Sequence, residues 1–186
     1  MRDTTDRILK GAISVFIKKG LQATTQEVAK EADVAEVTLY RRYSTKENLF
    51  FTAIRNVLEK KFDSQILEIA KETDTKTFLI HIIENRLDLL EKNKDLIKML
   101  LSENLRGNLG NDLNLPEIIF SSLKKGLDYH FKLINHPIDI DFCARQLGGI
   151  FLSYIVLPNN KDFNKLTTQE KKEIAKKHAK SILATL

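Results

Sequence analysis

The chain has 186 residues, of which 30 are basic and 25 acidic, and its formal net charge is +5. Hydrophobic residues make up 42% of the chain, an ordinary share for a globular protein long enough to bury a core. The single cysteine, Cys143, excludes an internal disulfide framework. The sequence has neither a signal-peptide pattern nor an apolar run of about 18 residues, so we expect a cytoplasmic protein without a membrane partner.

Three short helices are predicted near the N-terminus. An apolar stripe at helical spacing runs through residues 5–19 and ends at Gly20, which suits the left-handed conformation that closes a helix. A second helix is expected over residues 24–32 and a third over residues 36–43. Between them lies Asp33, one of the few residue types that tolerate a positive φ angle at a sharp turn. This spacing is typical of a helix-turn-helix, although any all-α protein also contains pairs of short helices.

Longer helices are predicted over the rest of the chain, because apolar residues recur there at helical spacing. The expected ranges are 45–72, 75–91, 94–105, 116–134, 139–157 and 167–186. Capping boxes are expected at Thr24 with Glu27, Ser44 with Glu47, and Thr167 with Glu170. The sequence therefore predicts an all-α chain of about nine helices. A three-helix helix-turn-helix domain is expected over residues 1–46 and a larger helical bundle over residues 47–186.

The third helix carries an unusual run of large side chains, Tyr40-Arg41-Arg42-Tyr43. Successive residues of an α-helix are separated by about 100°, so these four side chains point in all directions around the helix. Some of them must face outward. Tyrosine and arginine side chains that face outward together are suited to contacts with phosphates or base edges.

The segment TTQEVAKEADVAEVTLYRRYSTKENLF, residues 24–50, follows the amphipathic first helix. Together they resemble the DNA-binding domain of TetR/AcrR-type transcriptional regulators. The resemblance covers roughly residues 5–51. It implies a homodimer whose paired third helices bind the two halves of a palindromic operator in double-stranded DNA. It also implies that a small-molecule effector in the C-terminal domain releases the DNA.

The resemblance assigns roles to particular residues of the N-terminal segment. The positions expected to contact DNA are Thr25 and Lys46, at the starts of the second and fourth helices, and Thr38, Tyr40, Arg41 and Arg42, on the recognition helix. Leu39 and Tyr43 match buried positions of the family. Ala35 departs from the pattern, because alanine cannot cap the recognition helix as the family's frequent serine does, at a cost of about 1 kcal/mol.

Glu36 is the other departure, since the family often has lysine there. One explanation is that its carboxylate only complements the dipole of the recognition helix, which is worth roughly 0.3–1 kcal/mol. The other is that it accepts a hydrogen bond from the amino group of a cytosine and so helps to select a C·G pair in each half-site. We include Glu36 among the DNA-binding residues on the second hypothesis.

In the larger domain, Arg86 and His130 are polar residues at positions surrounded by apolar ones. Each is a candidate contact to an effector. The alternatives are an ion pair between neighbouring helices for Arg86 and a hydrogen-bonded core histidine for His130. Cys143 is expected in the core rather than as a redox sensor. The four histidines share no spacing, so we predict no metal site, and nothing indicates a cofactor.

The last two predicted helices, 139–157 and 167–186, are expected to form the dimer interface, as they do in the family. The residues assigned to it are Gly148, Gly149, Phe151, Ile174, His178 and Ile182. An isolated helix with the lysine-rich face of residues 167–186 could also lie on a membrane surface. Pairing with the apolar helix before it favours the dimer.

Two functions compete. The first is a ligand-responsive transcriptional repressor. The second is a DNA-binding architectural or nucleoid-associated factor of the same fold, whose C-terminal domain binds a protein partner and no small ligand. An enzyme is not expected, because the sequence has neither a nucleophile with a plausible base nor a phosphate-binding glycine loop. A sizeable closed pocket among residues 75–157 would favour the first function.

Overall fold

The computed structural model describes residues 4–62, 65–109, 115–157 and 163–186. For residues 59–62, 115–119 and 164 it describes the backbone only. Ten α-helices account for most of these residues: α1 Thr4–Lys19, α2 Thr25–Ala32, α3 Glu36–Tyr43, α4 Lys46–Phe62, α5 Ile66–Ile69, α6 Thr75–Lys92, α7 Lys94–Leu105, α8 Leu115–Leu133, α9 Ile140–Val156 and α10 Thr168–Leu183. Short 3₁₀ turns occupy Gly20–Gln22 and Phe163–Lys165. The described part of the chain contains no strand, which confirms the all-α prediction.

The sequence predicts about nine helices, and the described residues contain ten. The helix expected over residues 45–72 is divided in two, since α4 ends at Phe62 and the four-residue α5 begins at Ile66. Both pieces carry apolar residues at a spacing that one continuous helix would also satisfy. The amphipathic pattern therefore does not reveal the break.

By their internal contacts, residues 1–60 with 95–115 form one compact unit, and residues 61–94 with 116–186 form another. A compact unit is not the same as an independently folding domain, so the domain boundary after residue 46 stays a prediction. Among the described residues, no helix is both long and apolar enough to cross a bilayer.

In the first unit, α1 packs against α2, and α2 packs against α3. The α1–α2 contact is close at Gly11, where an added Cβ would lie 2.9 Å from the Cβ of Ala32. Phe16 and Phe50 are fully buried and meet edge to face, with ring centroids 4.9 Å apart. This aromatic pair anchors a small core beneath the helix-turn-helix.

The turns around α2 follow the sequence. Gly20 and Asp33 have positive φ angles of 57° and 53°, as predicted. Thr24 and Glu27 form the predicted capping box. The pKa of the Glu27 carboxyl is lowered to about 2. The largest cause is the hydrogen bond from Lys19, and the hydrogen bonds from Thr24 contribute less. Both ends of α2 are therefore fixed by local contacts.

One of the two other predicted capping boxes is wrong. Thr167 and Glu170 cap α10 as expected. Ser44, however, is the residue that ends α3, with a φ of 63°. The hydroxyl of Thr45, not that of Ser44, accepts the capping hydrogen bond from the backbone N–H of Asn48 at the start of α4. Two adjacent hydroxyl residues precede this helix, and the left-handed turn at the first makes the second the cap.

In the second unit, α6 packs against α9 and α10. Its buried residues lie on most of its circumference, as expected for a central helix. Polar contacts join the helices at the edge of this core. Lys171 of α10 forms an ion pair with Asp88 of α6 at 2.7 Å, and the Tyr154 hydroxyl lies 3.1 Å from Nε2 of His178.

Candidate nucleic-acid interface

The α3 helix has one buried and one exposed face. Leu39 and Tyr43 are buried in the first unit, which confirms their predicted place in the core. Tyr40 is 50% exposed and Val37 is 70% exposed. A surface helix that presents large side chains to solvent, held by only two buried residues, is arranged to contact another molecule.

Three of the residues expected to contact DNA are linked by hydrogen bonds at one end of this surface. The Thr25 hydroxyl, on the first residue of α2, donates to Oε1 of Glu36 at 2.5 Å. The Tyr40 hydroxyl lies 3.1 Å from the same Thr25 oxygen. Since a threonine hydroxyl has one proton, Thr25 donates to Glu36 and accepts from Tyr40. The N-terminus of α2 and the exposed face of α3 thus form one continuous polar surface.

The two arginines of α3 differ in their surroundings. Arg42 donates from Nη1 to the Thr5 hydroxyl of α1 at 2.6 Å. Arg41 is exposed and has no hydrogen-bond or ion-pair partner within the described residues. Arg41 is therefore free to reach a ligand, whereas Arg42 is held against α1. Thr38 is half-buried on the same helix.

Lys46, the first residue of α4, is half-buried and donates from Nζ to the Leu21 carbonyl at 2.6 Å. This bond holds the ammonium next to the turn that leads into α2. Sequence reasoning missed both Leu21 and Thr5, because nothing local marks them as partners of Lys46 and Arg42. It also missed Val37, although a helical projection would show this apolar residue on the polar face of α3.

The α3 helix begins without a side-chain cap. Ala35 occupies the N-cap position and makes no side-chain hydrogen bond, as the sequence predicted. Glu36 lies in the first turn, where a carboxylate complements the helix dipole. Its side chain is nevertheless turned towards Thr25 of α2.

The candidate effector contacts lie in the second unit. Arg86 is 4% exposed and donates from Nη2 to the Ser122 hydroxyl at 2.8 Å. His130 is fully buried and stacks on Phe78 with ring centroids 4.0 Å apart. Burial lowers the pKa of His130, so the neutral imidazole is favoured. Cys143 is buried as expected, and burial raises the pKa of its thiol to about 11.

The two nitrogens of the His130 ring differ. Nε2 lies 3.1 Å from the Thr75 hydroxyl, whereas Nδ1 is buried and makes no hydrogen bond of ordinary geometry among the described residues, although the backbones of Glu72 and Ala70 favour the protonated ring. The described part of the chain contains no group of three or more acidic, histidine or cysteine side chains that could hold a metal ion.

The residues assigned to a dimer interface face different ways. Gly148 is buried against the Phe120 ring, and Phe151 and Ile182 are buried in the unit's own core. Ile174 and His178 are half-buried. Gly149 is exposed, with no atom within 4 Å of the position that a Cβ would take.

Comparison with known proteins agrees with this geometry. Residues 8–53 match the family model described as bacterial regulatory proteins, tetR family. The HTH-type transcriptional regulator YvkB of Bacillus subtilis, itself uncharacterised, is 36% identical over 104 residues, which are 55% of this chain and 53% of that protein. The nucleoid occlusion factor SlmA of Pasteurella multocida is 32% identical over 147 residues, 71% of each chain. The chain belongs to the tetR family of bacterial regulatory proteins, and the family match covers its helix-turn-helix segment.

The described fold also resembles solved structures of this family. The transcriptional regulator FadR of Bacillus subtilis, solved in complex with stearoyl-CoA, superimposes with a TM-score of 0.70 over 97% of this chain and 98% of its own. The two chains are 16% identical, so the likeness concerns the fold alone. The chain spans about half the length of YvkB, the first of the curated relatives above.

Proposed function

We propose that this chain is a cytoplasmic, homodimeric repressor that binds a palindromic operator and is released by a small-molecule effector. The observation that carries the proposal is the polar surface formed by Thr25, Glu36 and Tyr40 beside the exposed Arg41. Hydroxyls at a helix N-terminus suit phosphate contacts, and an unpaired guanidinium suits the edge of a guanine. Thr38, Arg42 and Lys46 complete the proposed contact surface.

DNA binding is tested by selecting bound fragments from a random DNA pool and measuring their affinity by fluorescence anisotropy. We expect the selected sequences to share a palindrome whose half-sites are separated by one helical turn, about 34–36 Å. Arg41→Ala should reduce the preference for that palindrome, mainly at one position of each half-site. Lys92→Ala removes the same charge from an exposed position of α6 and should leave the preference unchanged. Selection of no shared sequence would contradict the proposal.

The homodimer is proposed to form through α9 and α10. Phe142, Gly149 and Val156 are spaced by seven residues, so all three lie on one stripe of α9. The two apolar side chains are 52% and 62% exposed, and the bare glycine between them would let a second helix approach closely. An exposed apolar stripe of this kind is typical of an association surface.

A coupling between effector and operator follows from the chain's connectivity. The α4 helix begins at Lys46 in the first compact unit and ends at Phe62 in the second. A ligand that shifted this helix would change the distance between the two recognition helices of a dimer. A ligand can shift the equilibrium only by its differential affinity for the two states. The effector should therefore bind more weakly to the operator-bound dimer, and equal affinity for both forms would contradict release.

Arg86 and His130 are the proposed polar contacts of the effector. The buried Nδ1 of His130, which makes no hydrogen bond of ordinary geometry among the described residues, supports this role, because a buried nitrogen with incomplete hydrogen bonding is costly unless something binds it. The FadR complex gives stearoyl-CoA as a first probe. Thermal stabilisation of the wild type by such a probe, reduced in His130→Phe, would support the assignment.

An architectural DNA-binding factor is the second candidate, favoured by the similarity to the nucleoid occlusion factor SlmA. In this case the second unit would bind a protein partner and no small ligand. The two candidates differ in one measurement. The measurement is operator binding in the presence of fractionated small-molecule cell extracts. A fraction that weakens operator binding supports the repressor, whereas binding that no fraction changes supports the architectural factor.

A further inference from the structure

Glu103 is a buried carboxylate to which neither the sequence nor the proposed DNA contacts assign a role. It lies on α7, beyond residues 8–53 that match the family model, and it is 4% exposed. A buried carboxylate is unfavourable unless hydrogen bonds or nearby positive charges compensate it. Lys18, Lys98 and Arg106 line the groove beside it, so the surroundings are basic.

The carboxylate is directed at the turn between α1 and α2. Its Oε1 accepts from the Leu21 amide at 3.4 Å, and its Oε2 accepts from the side-chain amide of Asn108 at 2.6 Å. Gly20, beside Leu21, comes so close that an added Cβ would lie 2.1 Å from Oε1. A side chain at residue 20 would therefore displace the carboxylate, and the φ of 57° is one that glycine adopts without strain.

On its other side, the same turn is bonded to Lys46, one of the residues proposed to contact phosphate. The Leu21 carbonyl accepts from Nζ of Lys46 at 2.6 Å, so both peptide groups of this residue are bonded to side chains distant in sequence. Two residues beyond the turn, Thr24 caps α2, and Thr25 follows at once. A displacement of the turn would therefore move both Lys46 and the N-terminus of α2.

We propose that Glu103 is a positioning residue for DNA binding. Through the Leu21 peptide it holds the turn at Gly20–Gln22 in the place from which Lys46 and Thr25 reach the DNA backbone. The proposal rests on the proposed phosphate roles of Lys46 and Thr25. It extends the DNA-binding machinery to a helix that follows the helix-turn-helix by some 50 residues of sequence.

The substitutions are Glu103→Ala, which removes both acceptors, and Glu103→Gln, which keeps an acceptor for Leu21 in nearly the same shape. Asp95→Ala is the control, since it removes one negative charge from an exposed position of the same helix and the same groove. Affinity for duplex DNA of mixed sequence is measured by fluorescence anisotropy over a range of salt concentrations. Each variant is first checked for helical content and thermal unfolding.

We expect Glu103→Ala to weaken binding to all duplexes by about five- to tenfold and to lower the salt slope by about one, as loss of one phosphate contact would. Glu103→Gln should restore most of the affinity, and Asp95→Ala should bind as the wild type does. In a Lys46→Ala background, Glu103→Ala should cost little more, because both residues act through one turn. Full additivity of the two losses would overturn the proposal, since a general loss of stability would affect both backgrounds alike.

A second readout separates this proposal from the proposed function. Amide hydrogen exchange at Leu21, measured by NMR without DNA, should become faster in Glu103→Ala and stay unchanged in Asp95→Ala. Unchanged exchange in Glu103→Ala would overturn the positioning role whatever the DNA affinity. Glu103→Ala could speed Leu21 exchange while Lys46→Ala leaves DNA binding unchanged. In that case Lys46 does not contact phosphate, and the proposal that Glu103 positions DNA contacts is also wrong. If Glu103→Ala does not fold, Asn108→Ala, which removes only the donor that orients the carboxylate, should raise Leu21 exchange in the same direction.

Discussion

Substitution of Glu36 gives the sharpest test of the proposed DNA surface. In the structure, its carboxylate accepts the Thr25 hydroxyl proton at 2.5 Å. That proton is the one Thr25 would donate to a DNA phosphate. The hydroxyl must therefore exchange one anionic acceptor for another when DNA binds, so the hydrogen bond itself contributes little net free energy to binding.

What remains is repulsion between the two anions. A phosphate oxygen accepting from Thr25 would lie about 2.7 Å from its Oγ1, which places it within about 5 Å of the Glu36 carboxylate. Two unit charges at that distance repel by about 0.8 kcal/mol in water and about 3 kcal/mol near a protein surface. Salt favours the lower value, so Glu36→Ala should raise affinity for DNA of mixed sequence about fourfold.

The operator itself should respond differently if Glu36 also accepts from a cytosine amino group. A correct base contact is worth about 1–3 kcal/mol of discrimination. Glu36→Gln should then reduce the penalty for replacing one C·G pair in each half-site, with the preferences at other positions unchanged. The assay is fluorescence anisotropy on the selected operator and its single base-pair variants.

Glu84→Ala is the control for these measurements, since it removes the same charge from α6 of the second unit. A uniform gain in affinity on every duplex, operator included, would refute the C·G hypothesis and leave Glu36 as a dipole partner that repels DNA generally. No gain on mixed-sequence DNA would refute the repulsion argument.

Three further predictions can be checked with the same protein. Lys46→Ala should weaken binding to all duplexes alike and lower the salt slope by about one. Arg41→Ala should instead cost about 1–3 kcal/mol, mainly at one operator position. Equal losses at every position would mean that Arg41 contacts only the DNA backbone. Gly149→Glu should give a folded monomer by light scattering and lose cooperative operator binding, and a dimer of unchanged stability would contradict the interface. Because burial lowers the pKa of His130, the folded state binds its proton less readily than the unfolded state, so the free energy of unfolding should fall as pH drops below about 6.5. His130→Gln should flatten this fall, with a residual slope from His178, whose pKa burial also lowers; an unchanged slope would show that His130 does not contribute.

Features that depend on neighbours in sequence could be predicted without coordinates. The capping boxes at Thr24 and Thr167, the left-handed turn at Asp33 and the buried Leu39 and Tyr43 all follow from residue type and helical spacing. A cap or a turn is satisfied within a few residues, and the two faces of a short amphipathic helix are fixed by its own pattern. The all-α class and the helix-turn-helix resemblance rest on the same local information.

Only the tertiary structure decided which distant groups meet. The bonds from Thr25 to Glu36, from Arg42 to Thr5 and from Lys46 to Leu21 each join different elements, and no local pattern specifies such a pair. Glu103 reads in the sequence as one more charged residue of an amphipathic helix, and the approach of the α1–α2 turn is what buries it.

The two adjacent glycines of α9 show the same limit most simply. Gly148 is packed against Phe120 while Gly149 is open to solvent. Along a helix that is apolar on nearly all sides, the sequence sets the two residues about 100° apart but cannot say which direction is inward. That choice belongs to the helices packed around α9, because burial of one face is decided by the neighbours that cover it.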